Sequence, residues 1–107
     1  MSVIVVEGIF DCVKVHQAGM PSVVALMGAV LYEPQCRALL GRFRNVILML
    51  DGDIAGQRAA TSIAVKLQPR RPVRVVELPA GQQPDQLSMQ EIREILTPET
   101  QRRLALR

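Results

Sequence analysis

The chain has 107 residues, of which 49% are apolar and 21% charged, with a formal net charge of +3. This length suits one domain, the apolar fraction argues against intrinsic disorder, and no apolar run approaches the roughly 18 residues of a membrane span. Two cysteines, Cys12 and Cys36, without a signal-peptide pattern point to a reducing cytoplasm rather than a disulfide framework. A zinc site lacks ligands, because His16 is the only histidine to join them. Cys12 and His16 lie four apart on an expected helix, and packing in the interior is the simpler account of the cysteines. Only Phe10, Tyr32 and Phe43 are aromatic, too few for a stacking platform along a single strand of nucleic acid.

Short apolar runs alternate with amphipathic stretches, as in successive βα units. Residues 3–6 predict a β-branched first strand ending at Glu7-Gly8, and residues 9–17 a helix stopped by Gly19-Met20-Pro21. A second strand is expected over 22–26, a turn at Gly28-Ala29, and a helix over 33–40 with Pro34 in its first turn and Gly41 at its end. Residues 45–50 form a continuous apolar run suited to a parallel strand covered on both faces, and it leads directly into Asp51-Gly52-Asp53. A helix over 55–67 closed by Gln68-Pro69, a fourth strand over 73–78, a turn over 79–84 and a helix over 89–96 complete the pattern. The fold class is therefore α/β, a Rossmann-like sheet of about four mostly parallel strands with helices on both faces. No repeat or linker interrupts it.

Ligands of such open sheets bind beyond the carboxyl ends of the strands, which selects Glu7 and the pair Asp51/Asp53. Clustered carboxylates repel one another unless a cation intervenes, and oxygen ligands of this kind suit Mg²⁺. Gly52 is expected to let the chain turn sharply after the strand. Helix capping is the competing account, since acids favour the positive ends of helices; it applies to Asp11 and Asp53 individually. Three acids at two strand ends exceed what capping requires.

Strand-Glu7-Gly8-Ile9-Phe10-Asp11, Gly28 after the second strand, and strand-Asp51-Gly52-Asp53-Ile54-Ala55-Gly56 together resemble the Toprim family, in particular the bacterial DnaG-type primases and primase-helicases. The Leu78-Pro79-Ala80-Gly81 loop adds to the likeness, which covers about residues 3–87 of a single 1–107 domain, leaving a C-terminal helix and Arg-rich tail over 88–107. The resemblance implies a Mg²⁺- or Mn²⁺-dependent nucleotidyl or phosphoryl transfer centre. In it Glu7, Asp51 and Asp53 are catalytic, and Glu7, Asp51, Asp53 and Asp85 hold metal. Asp85 matches the last acid of an Asp-Pro-Asp pattern whose first acid is here Gln83, which weakens a second metal position, and Ala29 stands where a Thr is common.

The partners implied are nucleic acid (single-stranded DNA or RNA), nucleoside triphosphates, and a helicase or other replication proteins, with no membrane. Arg58 and Arg71 are the candidate nucleic-acid-binding residues. For Arg58 a solvated helix face is an equal account, and the other arginines beside the strands read mostly as surface charges. The domain is expected to need further sequence before it can prime. The alternatives are a small Toprim nuclease of the ribonuclease M5 type and a catalytically silent nucleic-acid-binding module. A topoisomerase is disfavoured because Tyr32, the sole tyrosine, falls in a turn, and a phosphoacceptor receiver domain because no Lys follows Lys66.

Overall fold

A computed structural model describes residues 2–28 and 30–97. Its elements follow the expected order: β1 (Ser2–Val6), α1 (Ile9–Gln17), β2 (Val23–Ala25), α2 (Glu33–Arg42), β3 (Asn45–Leu48), α3 (Ile54–Leu67), β4 (Val73–Val75), a 3₁₀ turn (Pro84–Gln86) and α4 (Met89–Leu96). All strand pairs are parallel and the sheet order is β2-β1-β3-β4. The chain leaves β1 toward one side for β2 and returns to pair β3 on the other, so the topological switch point lies between β1 and β3. In an open α/β sheet that is where a crevice forms beyond the strand ends.

The alternation of β1 divides the core. Val3 and Val5 face a cluster with Leu48, Ile63, Leu67, Cys36 and Leu39, from β3, α3 and α2. Ile4 and Val6 face Val15, Ala18, Leu87, Ile92 and Leu96, from α1, α4 and the segment before α4. Apolar residues on both faces are what a parallel sheet under two helical layers requires, and they explain why the first and third strands read as unbroken apolar runs.

Several boundaries shift for identifiable reasons. Ladder pairing of β3 stops at Leu48, although Met49 still donates its N–H to Val5 O at 2.9 Å, and β4 ends at Val75, with Val76 donating to Leu48 O. Gly41 does not terminate α2, which continues to Arg42, because Phe43 N–H still finds Leu39 O at 3.0 Å. The 3₁₀ turn, which begins at the last residue of the expected turn and runs past it, is new. Ser88 caps α4 through a reciprocal box, accepting from Glu91 N–H at 3.0 Å while the Glu91 carboxylate accepts from Ser88 N–H at 2.9 Å. Ala29 and the tail beyond residue 97 lie outside the described residues.

Leu48 is fully buried at the centre of the larger cluster. Leu48→Ala is expected to cost about 3 kcal/mol, the lost transfer free energy plus a cavity, read as a lower urea midpoint with an unchanged slope.

Candidate active site

Glu7 follows β1 directly, and Asp51 and Asp53 follow β3, its neighbour in the sheet, so the register Val5↔Leu48 carries both chain ends to the same edge. Glu7 and Asp51 lie side by side, each carboxyl perturbing the ionisation of the other. Burial, the Asp51 contact and the charges of Asp51, Asp53 and Asp11 push the Glu7 carboxyl up to about 7. Asp51 is also raised, first by burial and then by Asp53 and Asp85, with the Glu7 hydrogen bond opposing. Its Oδ1 is buried and has no hydrogen-bond partner among the described residues. The one ion pair among the described residues, Arg70 with Glu33 at 3.2 Å, involves none of these acids.

Two of the expected acids serve the fold as well. Asp53 is the N-cap of α3, its Oδ1 accepting from Gly56 N–H at 2.7 Å, so the cap engages only one of its two oxygens. Asp11 does occupy a capping position in α1, accepting from Gly8 N–H at 3.3 Å, but its other oxygen also accepts from Asp85 N–H at 3.0 Å. It is buried, at 5% exposure, and burial raises its pKa while the two N–H donors lower it. Asp85 itself is exposed in the 3₁₀ turn, with its charge felt at Asp11 and Asp51.

The two glycines of the Asp-Gly-Asp-Ile-Ala-Gly stretch matter for space. The chain bends at Gly52 as expected, with a φ outside the left-handed region, so it is space rather than backbone strain that calls for glycine there. A Cβ there would collide with carbonyl oxygens of Leu78, Pro79 and Gln82. That loop is bound to Gly52 in both directions, through Gly52 N–H to Gln82 O at 2.7 Å and Gly81 N–H to Gly52 O at 2.8 Å. At Gly56 a Cβ would strike the Asp51 carbonyl, so the first turn of α3 packs directly on the backbone of the acid. The motif contained both residues. Which backbone each one admits was not readable from it.

Arg58 lies exposed in the second turn of α3, on the helix that starts at Asp53. Arg71 is placed elsewhere. It precedes β4, at the opposite end of the strands, where it donates to Leu40 O at 3.2 Å and to Arg70 O at 2.8 Å. Arg42, Arg44 and Arg70 share that amino-terminal edge, so the acids are not ringed by these arginines. Cys12 is half-buried with its thiol against Val23 O, Cys36 is buried, and His16 is exposed, consistent with packing rather than ligation.

The family model described as Toprim-like matches residues 4–88. The chain belongs to the Toprim-like family. A DNA primase of Lactococcus lactis subsp. lactis is 37% identical over 86 residues, covering 80% of this chain and 13% of the relative. A solved Aquifex aeolicus primase comprising zinc-binding and RNA polymerase domains superposes with a TM-score of 0.78 at 31% identity, covering 91% of this chain and 25% of that one. A DnaG primase catalytic domain bound to single-stranded DNA gives a TM-score of 0.77 at 30% identity, covering 91% and 33%. This Toprim domain is thus of the DnaG primase type, and the nuclease and silent-module alternatives are not favoured. It spans about one-seventh of the length of the curated primases that it matches.

Two outcomes follow from the site's geometry. Gly56→Ala should destabilise the domain by about 3 kcal/mol through forced displacement of the Asp51 backbone, whereas Gly41→Ala, with open space around it, should stabilise α2 by up to about 1 kcal/mol; urea titration of both variants checks the contrast. Carboxyls raised on folding contribute stability that is complete below their unfolded pKa and lost as pH rises through the folded value, about 7 for Glu7. Without divalent cations the melting temperature should therefore fall between about pH 5 and pH 8, with a shallower fall in Asp51→Asn.

Proposed function

We propose that this domain is the cation-dependent phosphoryl-transfer centre of a DNA primase-type protein. Supporting it above all is the pairing of Glu7 with Asp51 at the sheet's switch point, with one Asp51 oxygen buried and, among the described residues, neither a partner for that oxygen nor a basic side chain ion-paired to either acid. The donor set consists of hard carboxylate oxygens, which fits Mg²⁺ or Mn²⁺. Among the described residues no group of three His, Cys, Asp or Glu side chains closes around one point. That also fits Mg²⁺, which keeps several waters and usually takes one or two carboxylates together with substrate phosphate oxygens.

Asp51, with Glu7 or the free oxygen of Asp53 as a second carboxylate, would hold the cation, with Asp85 nearby. When bound, it supplies Lewis-acid stabilisation of charge at phosphorus and lowers the pKa of an attacking oxygen. Glu7, whose carboxyl is pushed up to about 7 in the cation-free chain, is suited to exchange a proton with that oxygen where it is not itself a ligand. Asp51 sits beside Glu7 and would offer its buried, otherwise unused oxygen to the cation. Arg58 offers a guanidinium for a nucleic-acid phosphate from α3.

The nucleic acid is single-stranded DNA as template and RNA as product, by analogy with the primase relatives, and nucleoside triphosphates are the second substrate. The whole reaction draws on the remainder of a primase, including its contacts with a helicase or other replication proteins, in the cytoplasm. No helix among the described residues is long and apolar enough to cross a membrane. We assign the 1–107 chain as one Toprim domain, with its tail appended after α4.

Calorimetric titration with Mn²⁺ should show binding that the double substitution Asp51→Asn, Asp53→Asn abolishes while far-ultraviolet circular dichroism is retained. Equal binding by the double variant would remove the assignment. Magnesium-dependent cleavage of RNA or DNA by the chain alone, lost in Glu7→Gln, would replace priming with a nuclease activity.

A further inference from the structure

A cap at the start of α1 could be exposed and needs only the neighbouring amides. Asp11 is different. It is the one charged side chain in the interior among the described residues, and its two oxygens take N–H groups from segments 77 residues apart, Gly8 and Asp85. Gly8 adjoins Glu7. The Asp85 amide belongs to the first turn of a 3₁₀ helix, where the helix itself leaves N–H groups without partners. Burying a carboxylate with no basic partner is unfavourable, so the fold retains this one against a cost that a surface cap would avoid.

The segment after β4 is thus tied at two points. Gly52, between Asp51 and Asp53, binds its first half through Gln82 and Gly81. Asp11 binds its second half through Asp85. Pro84 and Leu87 bury their side chains on either side of Asp85, so the anchored backbone leaves only the Asp85 side chain exposed in that stretch together with Gln86.

We infer that Asp11 is a positioning residue, a buried latch whose carboxylate couples the turn carrying Glu7 to the turn carrying Asp85 and so fixes the fourth acid of the site. It touches neither substrate nor cation. This rests on the cation-site reading for its functional consequence, but the latch itself is a property of the cation-free chain.

The test uses the full chain in two measurements. In the absence of divalent ions, Asp11→Ala should speed amide hydrogen exchange at Asp85 at least tenfold while amides of β1 and β3 exchange at wild-type rates. Asp11→Asn, which retains one acceptor oxygen, should give an intermediate effect and serves if the alanine variant does not fold. In Mn²⁺ calorimetry, Asp11→Ala and Asp85→Asn should each weaken binding several-fold, and the two together no more than the stronger alone, since one acts through the other. Unchanged exchange at Asp85 in both variants overturns the latch, as do losses of Mn²⁺ affinity that multiply. A wild-type chain that binds no Mn²⁺ would refute the cation site, and the exchange rates would still decide the latch.

Discussion

Parallel pairing of β1 with β3 is the constraint on which the rest of the molecule turns, because it delivers Glu7 and Asp51 to adjacent positions where their charges oppose each other. The sheet can carry that repulsion because it is apolar on both faces. Val3, Val5, Ile4, Val6 and Leu48 lock the two strands into one register from opposite sides. A register slip of one residue would turn each of these faces inside out, so core packing and placement of the acids are the same specification.

The space around the acids is shaped largely by groups that have no side chain. Gly52 admits the loop after β4 to the backbone between Asp51 and Asp53, and Gly56 seats the start of α3 on the Asp51 carbonyl. The N-cap formed by Asp53 then anchors α3 at that spot. Helix, loop and strand end meet within a few residues, which pre-organises the carboxylates on rigid elements rather than on a mobile loop.

Charge is distributed along the strand direction. The acids gather at the carboxyl ends of the strands, whereas Arg42, Arg44, Arg70 and Arg71 lie at the amino ends, Arg71 with its guanidinium engaged by the Leu40 and Arg70 carbonyls. The mild +3 of the whole chain averages over that separation. In the proposed role, a polyanionic substrate approaching the acidic end would meet little compensating positive charge from these arginines, and a bound cation would be the more direct means of neutralising its phosphates.

Element type and order were legible in the sequence because they depend on local pattern: β-branched runs for strands, 3.6-residue periodicity for helices, and Pro or Gly between them. Glu7, Asp51 and Asp53 were legible too, since residues that end apolar strands in an α/β chain must emerge at one edge. What the sequence left open depends on contacts between distant segments. Asp11 has the spacing of an ordinary cap, and only the packing of α1 against the turn at Pro84–Gln86 gives it a second partner. Gly52 is read correctly as a bend, but only the loop from β4 shows which backbone its missing Cβ admits. Arg71 is simply a base beside a strand until parallel topology sends it to the far end of the sheet. Local sequence determined which elements form and which acids stand at their ends; the tertiary structure decided which backbones those acids and glycines meet, because those meetings are set by sheet order and helix packing rather than by neighbours in the chain.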